Sequence, residues 1–151
     1  MDIKGGKNMD KEKLREQFEH ALNTHQEGTG QLFLYSLLNF TFEYDEEHEV
    51  VRIEAPISKM MYNPIGYIHG GIITYMADTA MGHLCAAFAY RPGVSLELKT
   101  QFLRAAKTGT LKAEAFFVKK GKQVQFVECD IKDDKNQLLA KTTATFYSLP
   151  E

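Results

Sequence analysis

At 151 residues the chain is long enough to bury a hydrophobic core without metal or disulfide support, and its 44% apolar and 25% charged residues are those of an ordinary globular domain. The formal net charge of -2 excludes a general affinity for nucleic acid or acidic membrane surfaces, while leaving room for a local basic patch. The two cysteines, Cys85 and Cys129, lie in apolar runs with no metal-ligand spacing, so they read as buried free thiols in a reduced compartment.

Residues 1–10 are polar, with a Gly-Gly and mixed charges, and read as a loose tail rather than a signal peptide or membrane anchor. Residues 11–151 read as one domain. Leu14, Phe18, Ala21 and Leu22 have the spacing of an amphipathic helix over residues 11–23. The stretch 32–38 fits either a helical turn or the start of a strand. Phe40, Phe42 and Tyr44 alternate as in a strand over 39–44, and a turn at 45–48 leads to a returning strand at 50–55. An irregular stretch with Pro64 and Gly66 follows, and then an apolar helix from Gly70 to about Tyr90, of the kind that is buried within a domain. The remainder reads as a strand meander over 94–103, 109–119, 122–132 and 138–148, its short connections implying antiparallel neighbours. The expected fold is α+β, a curved antiparallel sheet of about six strands wrapped around one long central helix. Its open edges favour a homodimer with a continuous sheet. No apolar stretch is long enough to span a bilayer, so a cytoplasmic protein is expected.

The chemistry concentrates between Asn63 and Asp78. His69-Gly70-Gly71 opens the long helix, where bare backbone permits close approach of a ligand. The first N–H groups of a helix lack intrahelical partners and lie at the positive end of its dipole, a suitable place for a developing oxyanion. Asp78 is a carboxylate on an otherwise apolar helix, costly to bury unless paired or functional, and suited to a general base or a nucleophile. Eight residues of helix separate Gly70 from Asp78, about 12 Å of rise. One acyl carbon cannot reach both in one chain, so the spacing favours a site shared between two subunits.

The run Asn63-x-x-Gly66-x-x-His69-Gly70-Gly71, with Asp78 nine residues after the histidine, resembles the PaaI-type acyl-CoA thioesterases of the 4-hydroxybenzoyl-CoA thioesterase superfamily. The similarity runs from about Asn39 to Ser148. It implies the hotdog fold, a homodimer or homotetramer, and hydrolysis of an acyl-CoA without metal or organic cofactor. By the same resemblance the Gly70 N–H polarises the thioester carbonyl beside Gly71, and His69 and Asn63 hold the geometry. Asp78 from the facing subunit activates water or attacks directly, and Ser95 assists the water. Lys119, Lys120, Gly121, Lys122 and Arg104 match segments near the coenzyme A phosphates.

Taken singly, each residue has a plainer use. His69 and His83 suit structural or core positions, Met60-Met61-Tyr62 suits packing as well as an acyl pocket, and Lys119 to Lys122 suit a solvated hairpin. Residues 60–67, Phe88 and the opposing chain are expected to form the acyl pocket between them. Two rival functions stay open. A hotdog dehydratase or hydratase would place its acid and base differently, and a non-catalytic acyl-CoA sensor would usually lack the carboxylate that Asp78 supplies here.

Overall fold

A computed structural model describes residues 9–27 and 31–150. Most of the expected tail therefore lies outside the described residues. Helix α1 (Lys11–Thr24) is capped by Asp10, whose carboxylate accepts from the N–H groups of Glu12 and Lys13 at 3.1 and 3.3 Å. The ambiguous stretch resolves as a short helix, α2 (Phe33–Leu37). It is joined to α1 by the edge-to-face pair Phe18–Phe33.

Strands β1 (Thr41–Asp45) and β2 (Val50–Pro56) form a hairpin whose turn is held by Asp45, its carboxylate accepting from His48 N–H at 3.1 Å. A 3₁₀ turn (Lys59–Met61) leads to the long helix α3 (Gly70–Phe88). Strands β3 (Gly93–Phe102), β4 (Thr110–Lys120), β5 (Val124–Lys132) and β6 (Leu138–Ser148) complete an antiparallel six-stranded sheet. One face of this sheet packs on α3. Its inward residues include Ala55, Ala113, Ala115, Ala140 and Ala144, which leave space for Met76, Met81 and Leu84 of the helix. Burial of these apolar groups is the main term holding helix to sheet. Cys85 and Cys129 are buried there as free thiols, and burial pushes the Cys85 thiol up to about 12.

The outward face takes up much of the charge. Arg52 meets Glu114 at 2.7 Å, and Lys141 meets Glu128 at 2.9 Å and Asp130 at 2.8 Å. Such partly exposed pairs, still reached by solvent, contribute on the order of 1 kcal/mol or less each.

Strand order departs from the expected meander. It is β1-β2-β4-β5-β6-β3, so β3 and β4 are not neighbours although few residues join them. The connection passes across the N-terminal end of α3, where Ile68 N–H donates to Ala106 C=O at 3.0 Å. Strand β3 pairs with β6 instead and lies at the sheet edge, with Val94, Leu96 and Phe102 exposed.

Candidate functional site

The loop before α3 is built by Asn63. Its side-chain oxygen accepts from Ile65 N–H at 3.2 Å and Tyr67 N–H at 3.1 Å, and its own N–H donates to Tyr67 C=O at 2.7 Å. Gly66 turns the loop at φ 82°, a conformation unfavourable for residues with a Cβ. His69 is the helix N-cap, and its Nδ1 accepts from Gly71 N–H at 2.9 Å. That contact fixes the imidazole and occupies the Gly71 N–H, leaving only the bare Cα of Gly71 for close approach of a ligand.

Gly70 differs. Its N–H has no partner among the described residues and stands at the positive end of a 19-residue helix. The Phe102 ring packs where a Cβ would project, its nearest atom 2.9 Å from that position. A cleft of about 420 Å³ opens here, lined in part by Asn63, Ile65, Gly70, Phe102 and Arg104. Arg104 is anchored by donating to Leu138 C=O at 2.9 Å.

Asp78 lies two turns further along α3, on its own chain's side of the 12 Å gap that helix geometry imposes. It is half-buried, and loss of hydration raises its pKa, offset in part by a hydrogen bond from Ser95 on β3. The structure thus brings the predicted Asp78 and Ser95 together and keeps both from Gly70. Desolvation also raises the Tyr35 and Tyr75 hydroxyls, with the Asp78 charge adding to the effect in each. Beyond them His83 stacks on Phe42 at 4.6 Å between ring centres and receives or gives a 2.7 Å hydrogen bond to the Tyr44 hydroxyl. Burial lowers the His83 pKa. An aromatic wall thus begins beside the carboxylate. Its members come from α2, β1 and α3, and no local pattern in the sequence links them.

The lysine turn divides. The Lys120 ammonium donates to Glu49 at 2.5 Å and to Phe88 C=O at 3.2 Å, closing the C-terminal end of α3, so the expected phosphate contact is not what holds it. Phe88 sits at that same end, about 27 Å along the helix from Gly70, and does not line the Gly70 cleft. Lys119 is an exposed residue at a bulge in β4. Gly121 is required by packing, since a Cβ would stand 2.3 Å from Val124 C=O. Lys122 alone of the three lysines lines a cleft of about 380 Å³, with Tyr90, Arg91, Gln123 and Tyr147. Tyr90, Arg91 and Tyr147 were not singled out from the sequence. The one available signal was a Tyr-Arg pair directly after the long helix. Among the described residues no group of histidine, cysteine or carboxylate side chains could hold a metal ion. No helix among them is long and apolar enough to cross a membrane.

Comparison with known proteins gives these features a family. The sequence profile of the thioesterase superfamily matches residues 65–140, just over half of the chain. A protein of Pasteurella multocida with a provisional esterase name is 28% identical over 92 residues, and the chain spans 66% of its length. The 1,4-dihydroxy-2-naphthoyl-CoA hydrolase of Listeria monocytogenes is 29% identical over 96 residues, 62% of this chain and 77% of that protein. Among solved structures, a Bacillus halodurans protein crystallised with CoA superimposes with a TM-score of 0.84 at 26% identity, covering 95% of this chain and 96% of that one. The PaaI protein of the Escherichia coli phenylacetic acid degradation operon has the same fold, with a TM-score of 0.73 at 20% identity over 91% of this chain and 95% of that one. The chain has the hotdog fold and belongs to the thioesterase superfamily, whose chemistry is thioester hydrolysis.

Proposed function

We propose that this superfamily member hydrolyses an acyl-coenzyme A thioester to the free acid and coenzyme A, at a site shared between two subunits. The observation that carries the reading is one pair of groups. Gly70 offers an unpartnered N–H at the start of α3, and Asp78, further along the same helix, offers a half-buried carboxylate held by Ser95 of β3. They are too far apart to act on one carbon within a chain, which supports a site completed by a second subunit.

In this reading the thioester carbonyl oxygen accepts from Gly70 N–H of one subunit, and the helix dipole favours the negative charge that develops there. Asp78 of the other subunit takes a proton from water as the water oxygen attacks the carbonyl carbon. Its desolvation makes it a stronger base, and Ser95 occupies one side of the carboxylate so that the other faces the water. Collapse of the tetrahedral intermediate breaks the carbon–sulfur bond and releases the coenzyme thiolate, which is then protonated. His69 and Asn63 position the Gly70 loop rather than exchange protons. If Asp78 instead attacked the carbon, the C–S bond would break to leave a mixed anhydride; water attack on its Asp78 carbonyl in ¹⁸O-water would leave label in the carboxylate, and attack on its acyl carbon would put the label in the released acid.

The coenzyme end suits the cleft of Arg91, Lys122, Tyr90 and Tyr147, where two cations can meet phosphates and two rings can meet a base. Arg104 at the Gly70 cleft is the other candidate cation. The CoA bound in the Bacillus halodurans relative supports a coenzyme A ester. The wall of Tyr35, Phe42, Tyr44, Tyr75 and His83 beside Asp78 suits a flat or ring-bearing acyl group. The exposed apolar edge of β3 is the surface through which the homodimer, alone or within a homotetramer, would form. Buried free thiols fit a reduced cytoplasm.

The test is release of free thiol from a panel of acyl-CoA esters by wild type and Asp78→Ala. The reading requires turnover by the wild type and a fall of 10²-fold or more in the variant, about 2.7 kcal/mol of barrier. Tight acyl-CoA binding with no thiol released from any ester would instead mark a sensor, and turnover of an enoyl-CoA without thiol release would mark a hydratase.

A further inference from the structure

The position of the basic cleft determines which subunit's catalytic groups it can serve. Two independent rulers run from it. Tyr90 and Arg91 follow directly on the C-terminal end of α3, which Lys120 closes by donating to Phe88 C=O at 3.2 Å. From that end back along the helix is about 15 Å to Asp78 and about 27 Å to Gly70.

The second ruler is β3. Gly93, its first residue, lies so close to Tyr147 of the cleft that a Cβ would stand 2.7 Å from the Tyr147 carbonyl oxygen. Ser95, the hydrogen-bond partner of Asp78, is two strand residues away, about 7 Å. Phe102, the residue packed on Gly70, is nine strand residues away, about 30 Å. Helix and strand agree. The cleft is near its own chain's Asp78 and remote from its own chain's Gly70.

A pantetheine arm is comparable to roughly five peptide units and spans on the order of 17 Å when extended. It reaches from the cleft to Asp78 of the same chain, and falls well short of Gly70 of that chain. We infer that each subunit binds the coenzyme end of the thioester in its own Tyr90–Arg91–Lys122–Tyr147 cleft and supplies the acid, Asp78, to that same molecule, while the partner supplies only the Gly70 N–H. This rests on the shared-site reading above and adds to it the assignment of the coenzyme cleft and the acid to one chain.

The assignment makes opposite predictions for mixed dimers. Co-express two differently tagged subunits, one Asp78→Asn and one Arg91→Glu/Lys122→Glu, and isolate dimers carrying both tags. Measure thiol release at limiting acetyl-, hexanoyl- and benzoyl-CoA. If cleft and acid act within one chain, each site in the mixed dimer has one defect, and activity stays at the low level of the two variant homodimers. If cleft and acid came from different chains, one of the two sites would be intact, and the mixed dimer would recover about half of the wild-type activity. That recovery overturns the inference while leaving the hydrolase reading in place. A mixed dimer of wild type and Asp78→Asn must show about half of wild-type activity, which establishes that tagged mixed dimers work. The Arg91→Glu/Lys122→Glu homodimer should lose tenfold or more in kcat/KM. Wild-type kcat/KM in that homodimer would refute the cleft as the coenzyme site, a failure distinct from recovery in the mixed dimer.

Discussion

Gly70→Ala separates stability from chemistry at the proposed oxyanion donor. The new methyl would stand 2.9 Å from Cζ and 3.1 Å from Cε1 of Phe102, well inside the optimum of about 3.5–4.0 Å between carbon atoms. Overpacking of a rigid core costs about 1–3 kcal/mol, but the Phe102 side chain is 56% exposed and free to swing away. Replacing glycine by alanine at a helical position also gains about 0.4–1 kcal/mol by restricting the unfolded chain. The two nearly cancel, so the net loss should be at most about 1 kcal/mol, or roughly 2–4 °C in Tm for a chain of this size. Activity should respond very differently. The methyl, and the displaced ring, crowd the cleft beside the Gly70 N–H. Loss of one such donor lowers kcat by about 10²–10³, or about 2.7–4 kcal/mol. Differential scanning calorimetry and thiol release on the same samples give both numbers. Gly70→Ala/Phe102→Leu should recover the Tm without recovering kcat. A variant that keeps more than a tenth of wild-type kcat at an unchanged Tm would show that Gly70 N–H does not polarise the carbonyl.

Three further outcomes follow from individual side chains. Desolvation raises the Asp78 pKa, so the folded state holds a proton there more tightly than the unfolded chain does. Its favourable contribution is therefore complete below the ordinary aspartate range and is lost as pH rises through the raised value. Asp78→Asn should accordingly unfold at higher urea than wild type at pH 7, and the difference should shrink toward pH 4. His83 has the opposite sign. Burial lowers its pKa, so its contribution is complete above the ordinary histidine value of about 6.5 and declines as pH falls below it; His83→Gln should flatten the fall in Tm between pH 6.5 and pH 5. Gly121→Ala would put a Cβ 2.3 Å from a backbone carbonyl that cannot swing aside, and should cost at least about 2 kcal/mol in a urea titration, with a raised KM for acyl-CoA from displacement of Lys122.

Local signals in the sequence were sufficient for much of this architecture. The 138–148 strand and the start of α3 at Gly70 fall where alternation and the His-Gly-Gly run put them. Asp78 stands out because a carboxylate on an apolar helix needs a reason. What was not legible depends on contacts distant in sequence. The short link after β3 suggested pairing with β4, yet β4 is occupied on both sides by β2 and β5, and the link passes the start of α3 while β3 pairs with β6. Lys120 reads as a phosphate ligand until Glu49, 71 residues earlier, is found against it. The aromatic wall and the Tyr90–Arg91–Tyr147 cleft are likewise assembled from separate segments, each unremarkable alone. Turn length limits which strands can pair, but the layer beneath them decides.

The placement of β3 connects assembly to chemistry. It is one of the two edge strands of the sheet, with Val94, Leu96 and Phe102 exposed, and it is also the strand that touches both halves of the proposed site. Ser95 holds Asp78 near one end, and Phe102 covers Gly70 at the other. Thr100 ties the middle to α3 through a 3.2 Å hydrogen bond from Thr74. In the shared-site reading proposed above, a second copy that pairs with the free edge of β3 through its own β3 would lie alongside these residues. An antiparallel pairing about a two-fold axis sets the Ser95 end of one strand toward the Phe102 end of the other. On that reading, covering the edge and bringing Gly70 of one subunit to Asp78 of the other would be met by the same pairing of one subunit against its copy. A substitution on the exposed side of β3 that weakens assembly, such as Leu96→Lys, should then reduce hydrolysis in proportion to the dimer lost, as read by size-exclusion chromatography and thiol release on the same samples.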